Sequence, residues 1–276
     1  MESLNRFAPM ALVVLWICLL AGPIVAVEKA PAAPAPAKRK IKAVVLTGGH
    51  GYDKKAFPKP FEGHADIACE FTAPQKGKPG LFADVDKWAY DTIVLYNFRQ
   101  KLSKAERANF LKLLDRGVGL FILHHAMAAY PDWKEYEKIL GARYYLKPTE
   151  VNGVMHPRSI WKHDVDMKIH VADADHAITR GMKDFVIHDE TYGKWSYFPA
   201  GSRLLLTTDT PGSNKQIAWA RFARNSRVFA LQLGHDGKAY ADPNFRRLIA
   251  QGMRWTAGRI GKEKPRNAKK AGKEGK

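Results

Sequence analysis

Residues 119–126, Gly-Leu-Phe-Ile-Leu-His-His-Ala, form an apolar run that stops abruptly at two adjacent imidazoles. Consecutive large apolar residues, bounded by glycine on one side and polar groups on the other, fit a strand buried on both faces, as in a parallel sheet. Such a strand needs covering helices, and the residues before it supply one. Ser103-Lys-Ala-Glu106 has the spacing of a capping box, and Ala105, Ala108, Phe110, Leu111 and Leu114 recur at helical spacing as far as Arg116. Gly117 ends that helix.

Toward the N-terminus, Ile41–Thr47, Ala65–Phe71 and Thr92–Tyr96 are three more expected strands, the first followed at once by Gly48-Gly49-His50-Gly51. Strands alternating with helices predict an α/β fold around a parallel sheet, with ligands bound beyond the strands' carboxyl ends. His50, Asn97, Arg99, His124 and His125 all follow strand ends and fall on that edge. The second half reads differently. Met167–Val171, Val186–His188, Leu204–Thr208, Ile217–Arg221 and Arg227–Leu233 are short strand-like pieces, several joined by brief loops, which predicts antiparallel additions. Asp242-Pro243 then caps a final helix running to Gly258, with Phe245, Leu248, Ile249, Met253 and Trp255 on its buried side.

The 276 residues are 46% hydrophobic, enough for one large folded domain, placed at 41–260. Residues 1–26, with Arg6, the apolar run Ala11–Leu20, Gly22-Pro23 and Ala26, have the layout of a signal peptide. The expected destination is therefore periplasmic or extracellular after cleavage, the alternative being a membrane anchor formed by an uncleaved leader. A Pro/Ala-rich linker at 27–40 should run extended, and a basic tail at 261–276 should be disordered. Without the leader only Cys69 remains, which excludes an internal disulfide. The net charge of +18, with eight Lys/Arg against two Glu from Arg259 onward, favours nonspecific contact with polyanions through the tail. No motif that reads nucleic-acid sequence is present.

Polar groups of one kind collect at the strand ends: His50, Arg99, His124, His125, then His188-Asp-Glu190-Thr-Tyr192 and Gly234-His-Asp236. Imidazoles and carboxylates projected from one edge can bind a divalent metal or act as general acid and base. No Cys-x-x-Cys and no helical His-x-x-x-His accompanies them, so a structural zinc site is not expected. Each has a plainer reading. His124 can be a satisfied buried histidine, and His125, next along a strand, should face the opposite side. His64, His163, His170 and His176 are expected as surface or loop residues, and Trp219, Phe222 and Phe229 as core.

The motifs GVGLFILHHA, His156-Pro157, HDETY at 188–192, QIAWAR at 216–221 and LGHDGKAYADPNFRRLIAQGMRW at 233–255, in that order, resemble the trehalose-utilisation (ThuA-like) family over residues 41–258. The resemblance implies a flavodoxin-like, class I glutamine amidotransferase-like α/β fold: a mainly parallel sheet flanked by helices, with appended antiparallel strands. In true amidotransferases the strand quoted first ends in a nucleophilic cysteine; His124 stands about there, and without a thiol nearby glutamine hydrolysis is not expected. His125 departs from the family's usual serine. The family's association with disaccharides and with sugars oxidised at carbon 3 implies a small carbohydrate substrate and a hydrolase or lyase. His124, Glu190 and His235 are then the catalytic candidates, and Arg99, Tyr192, Asp236 and Tyr240 the hydroxyl-binding ones. A divalent metal such as zinc would be held by His50, His124 and His235. The competing expectation is a non-catalytic carbohydrate-binding or envelope scaffold protein.

Overall fold

The computed structural model describes residues 39–264; the expected leader, most of the linker and most of the basic tail lie outside the described residues. Along the chain the elements are β1 (Ile41–Gly48), β2 (Ile67–Thr72), β3 (Thr92–Asn97), α1 (Lys104–Asp115), β4 (Gly119–Leu123) and α2 (Lys134–Leu140). Three short strands follow, β5 (Ala142–Arg143), β6 (Thr149–Val151) and β7 (Val154–His156). Next come β8 (Ile160–Val171), β9 (Phe185–Gly193), β10 (Ser196–Tyr197), β11 (Ser202–Thr208), β12 (Gln216–Ala223) and β13 (Ser226–Leu231), and the helices α3 (Gly237–Ala241) and α4 (Pro243–Thr256) close the fold.

Nine strands form one sheet in the order β2-β1-β3-β4-β13-β12-β11-β8-β9. The run from β2 to β13 is parallel, and every pairing beyond it is antiparallel. This is the mixed, mainly parallel sheet expected of the resemblance. Side chains of the central strands alternate between two apolar layers, as the pleat requires. Ala43, Val45, Val94, Tyr96, Phe121 and Leu123 meet Phe245, Leu248, Ile249 and Met253 of α4. Val44, Leu46, Ile93, Leu95, Leu120 and Ile122 meet Phe110, Leu113 and Leu114 of α1 and Tyr136 and Ile139 of α2. Each large side chain so buried contributes about 1.5–3 kcal/mol. Close packing also explains Gly119: a Cβ there would lie 2.3 Å from the Thr256 carbonyl oxygen.

Both expected helices form with their expected caps. Ser103 Oγ accepts from Glu106 N–H while Glu106 accepts from Ser103 N–H, and the Asp242 carboxylate accepts from the amides of Asn244 and Phe245. Trp219 and Phe229 are core, whereas Phe222 is only half-buried. Cys69, free and packed on Met253, has its thiol pushed up to about 12 by burial, so it is no nucleophile.

Two departures matter for the site. Strand β4 ends at Leu123, and His124–Ala128 turn at once into a 3-10 helix, so the two histidines do not alternate across a sheet. Strands β8 and β9 are far longer than the expected Met167–Val171 and Val186–His188. Their extra length lies at the sheet edge, where residues 160–164 of β8 are exposed and no apolar alternation announces a strand.

Candidate functional site

Strand register brings the site together. β4 and β13 run parallel with Leu123 beside Leu231, so His124 emerges next to Gln232, Leu233, Gly234 and His235. Gln232 anchors it: its backbone carbonyl accepts from His124 Nδ1–H at 2.7 Å. That bond leaves the lone pair on Nε2, which accepts from the Tyr192 hydroxyl at 2.9 Å and lies 3.2 Å from Glu190 Oε2. The bend that aims the ring is left-handed, φ 55° at His124, a conformation that costs a non-glycine residue about 1–3 kcal/mol and clusters at functional sites.

Strand β9 delivers the carboxylates. Asp189, fully buried, accepts from the amides of Gly234 (2.7 Å), His235 (2.9 Å) and Glu190 (2.8 Å), which ties the loop after β13 to β9. Burial raises its pKa, an effect only partly offset by nearby His124 and these amides. Gly234, at φ 116°, makes the tie possible, since a Cβ there would meet the Phe245 ring at 2.8 Å. Glu190 then lies 3.4 Å from His235 Nδ1 through Oε2 and 3.2 Å from His163 Nδ1 through Oε1. Burial alone would raise the Glu190 pKa, but His124 and His235 outweigh it and hold the group well below the usual carboxylate range. The same carboxylate raises His235.

His124 Nε2, Glu190 and His235 Nδ1 offer ligand atoms all within 4.8 Å of one another. Two imidazole nitrogens facing one carboxylate leave a demand for positive charge between them, met by a proton or by a cation. Two imidazoles and one carboxylate, one imidazole fixed through its other nitrogen to a carbonyl, make a donor set of the zinc type.

Beside this cluster opens a cavity of about 370 Å³, lined by Glu190, His163, Tyr192, Tyr144, Trp161, Arg158, Arg99, Phe98, His125 and His50, among others. His50 is exposed there and packs against His125 at a tilt, centroids 4.7 Å apart, instead of joining His124 and His235. His125 is buried with Nε2 donating to the Tyr96 carbonyl at 3.2 Å, and burial first, then His124 and His50, push its pKa well down. It lines the same cavity that Glu190 reaches, so the expectation of opposite faces fails because the strand has already ended.

Of the four candidate hydroxyl-binding residues, Arg99 and Tyr192 line the cavity, whereas Asp236 and Tyr240 do not. Asp236 caps α3, accepting from the amides of Lys238 and Ala239. Tyr240 is buried, bonded to the Tyr96 hydroxyl and donating to the His235 carbonyl. The converse correction concerns His163, read as a surface residue. It is half exposed, but it contacts Glu190 and lies 4.4 Å from the His235 ring. Its signal was absent locally because its neighbours in β8 are polar and exposed; only pairing with β9 across an irregularity between Lys162 and Val165 brings it in. His170 sits within β8, paired with Asp184, and His176 is buried beside Trp255.

Comparison with known proteins agrees with this architecture. The structure resembles a protein described as ThuA-like from Parabacteroides merdae, with TM-score 0.68 and 20% identity over 83% of this chain and 94% of that one. It also resembles one so described from Bacteroides uniformis, with TM-score 0.55 and 20% identity over 82% and 95%. A cytoplasmic protein of Salmonella typhimurium gives TM-score 0.54 and 11% identity over 77% and 98%. No curated protein matches the sequence. The family model for trehalose utilisation matches residues 42–256, and the chain belongs to that ThuA family.

Proposed function

We propose that the protein is a carbohydrate-processing enzyme that breaks a glycosidic C–O bond, by hydrolysis or elimination, in a glycoside or a sugar oxidised at carbon 3. The supporting observation is the convergence of His124, Glu190, His235 and His163 at the edge of a cavity lined by aromatic and cationic side chains. His124, Glu190 and His235 would hold a zinc-type cation, which when bound supplies polarisation of a carbonyl oxygen.

The chain's own groups divide the remaining work. A carboxylate held as low as Glu190 is a poor base, and its role is orientation: its Oε1 lies 3.2 Å from His163 Nδ1, and a proton kept on that nitrogen leaves the lone pair on His163 Nε2. His163, half exposed at the cavity, then takes the proton from the carbon beside the ketone. Its electrons form the double bond to the anomeric carbon as the glycosidic C–O bond breaks, and His163 returns the proton to the departing oxygen. His124 does not line the cavity, and its place is in the cation-binding set with Glu190 and His235. Export, expected from residues 1–26, belongs to the same proposal, and cell fractionation of the full chain tests it.

The test is incubation of the full-length protein with a glucoside and its 3-keto counterpart, with and without chelator. The 3-keto sugar should be cleaved, more slowly after chelation, and His163→Ala should lose about 10²–10⁴-fold in rate. No cleavage of either sugar overturns the enzymatic reading; measurable affinity without cleavage would support a binding protein instead.

A further inference from the structure

We infer that the cavity selects a sugar bearing an anionic substituent, a carboxylate or a phosphate; the inference rests on the carbohydrate reading above and names its substrate class. Its starting point is a charge imbalance. Among the described residues, Glu190 is the one acidic residue lining the cavity, and the imidazoles of His124, His163 and His235 already surround it. Two arginines line the same cavity, and neither guanidinium has a hydrogen-bond or ion-pair partner among the described residues.

That is unusual for this chain. Arg39, Arg203, Arg224 and Arg254 each meet an aspartate. Arg99 and Arg158 instead rest on aromatic rings that also line the cavity. The Arg158 guanidinium carbon lies 4.8 Å from the Trp161 centroid, and that of Arg99 lies 5.5 Å from the Phe98 centroid. Stacking restricts a guanidinium without satisfying its donors, leaving them to a ligand. Arg99 is also held at φ 53°, its amide donating to the Ala128 carbonyl at 3.1 Å, so the turn after β3 fixes where its side chain starts. Planar guanidinium forks match carboxylate and phosphate oxygens in pairs of hydrogen bonds. A neutral sugar leaves those donors to water, whereas an anionic one meets them, and charge-assisted hydrogen bonds of about 1.5–3 kcal/mol correspond to a preference of about tenfold or more.

Calorimetric titration of the full chain with methyl glucoside, the matching methyl glucuronide and glucose 6-phosphate tests this. At least one anionic sugar should bind about tenfold tighter than the neutral one, with the advantage shrinking as salt rises. Preference for the glucuronide alone assigns a carboxylate, and for the phosphate alone a phosphate. In the Arg99→Ala/Arg158→Ala variant the anionic-to-neutral affinity ratio should fall to about one. Both side chains are exposed, and a melting curve checks that the variant folds; if it does not, the salt dependence of the unaltered chain decides. Equal affinities for all three sugars, or a preference that survives the double substitution, overturns the inference while leaving the carbohydrate reading intact. Failure to bind any of the three also overturns the inference, while the cleavage assay decides the carbohydrate reading separately.

Discussion

At Glu190, burial and the neighbouring imidazoles pull in opposite directions, and the imidazoles win. The pair it forms with His235 has a definite pH signature. The raised His235 contributes stability that is complete below its ordinary value of about 6.5 and lost as pH rises through the folded value; the depressed Glu190 contributes stability present above about 4.3 and lost on acidification. Glu190→Gln should therefore return the His235 pKa toward the ordinary imidazole value, read by NMR titration of the ring. Asp189 answers to a different test. In Asp189→Asn an amide nitrogen replaces one acceptor of backbone N–H groups, and denaturant unfolding should show a loss of about 2–4 kcal/mol. Residues that stop an apolar run, such as His124, or follow a needed glycine, such as His235, were legible in the sequence. His163 was not, because its importance comes from the pairing of β8 with β9, remote in sequence, and from the register shift in which it sits. Asp236 and Tyr240 looked the part through their motif, but cap and core roles use their polar atoms.

Elements followed their sequence where both faces are buried. β1, β3 and β4 read as continuous apolar runs, and α1 and α4 declared themselves by caps and by helical spacing, because burial demands those patterns. The first half of β8 carries no such demand, and its extent is set by the partner strand instead. Contacts also continue past residue 260: Arg227 donates to the carbonyls of Gly261 and Glu263, which packs the first residues of the basic segment against the body. Strand β4 and helix α4 pack with no room for an added side chain at Gly119. Gly119→Ala would drive a methyl group against the Thr256 carbonyl, and thermal unfolding should report a loss of about 1–3 kcal/mol or more.

Across the whole molecule, the parallel half of the sheet carries His50, Arg99, His124 and His235 at its carboxyl ends, while the antiparallel half adds His163 and Glu190. The site therefore exists only when both halves are assembled. Global stability should carry an acid limb from His176, which burial lowers to about 4 against the partial counterpull of Glu263. A depressed imidazole favours the neutral form, so its contribution is present above about 6.5 and lost as pH falls toward 4; His176→Gln should flatten that limb in denaturant midpoints measured across the range.

Convergence itself is best measured with a metal ion, because a transition metal reports whether remote ligands share one small volume. Titrating the full chain with cobalt, followed by ligand-field absorption, should give one ion per chain, with affinity weakened about 10-fold or more in His124→Ala, Glu190→Gln and His235→Ala but not in His50→Ala. Absence of stoichiometric binding, or equal weakening by His50→Ala, would contradict the site described above.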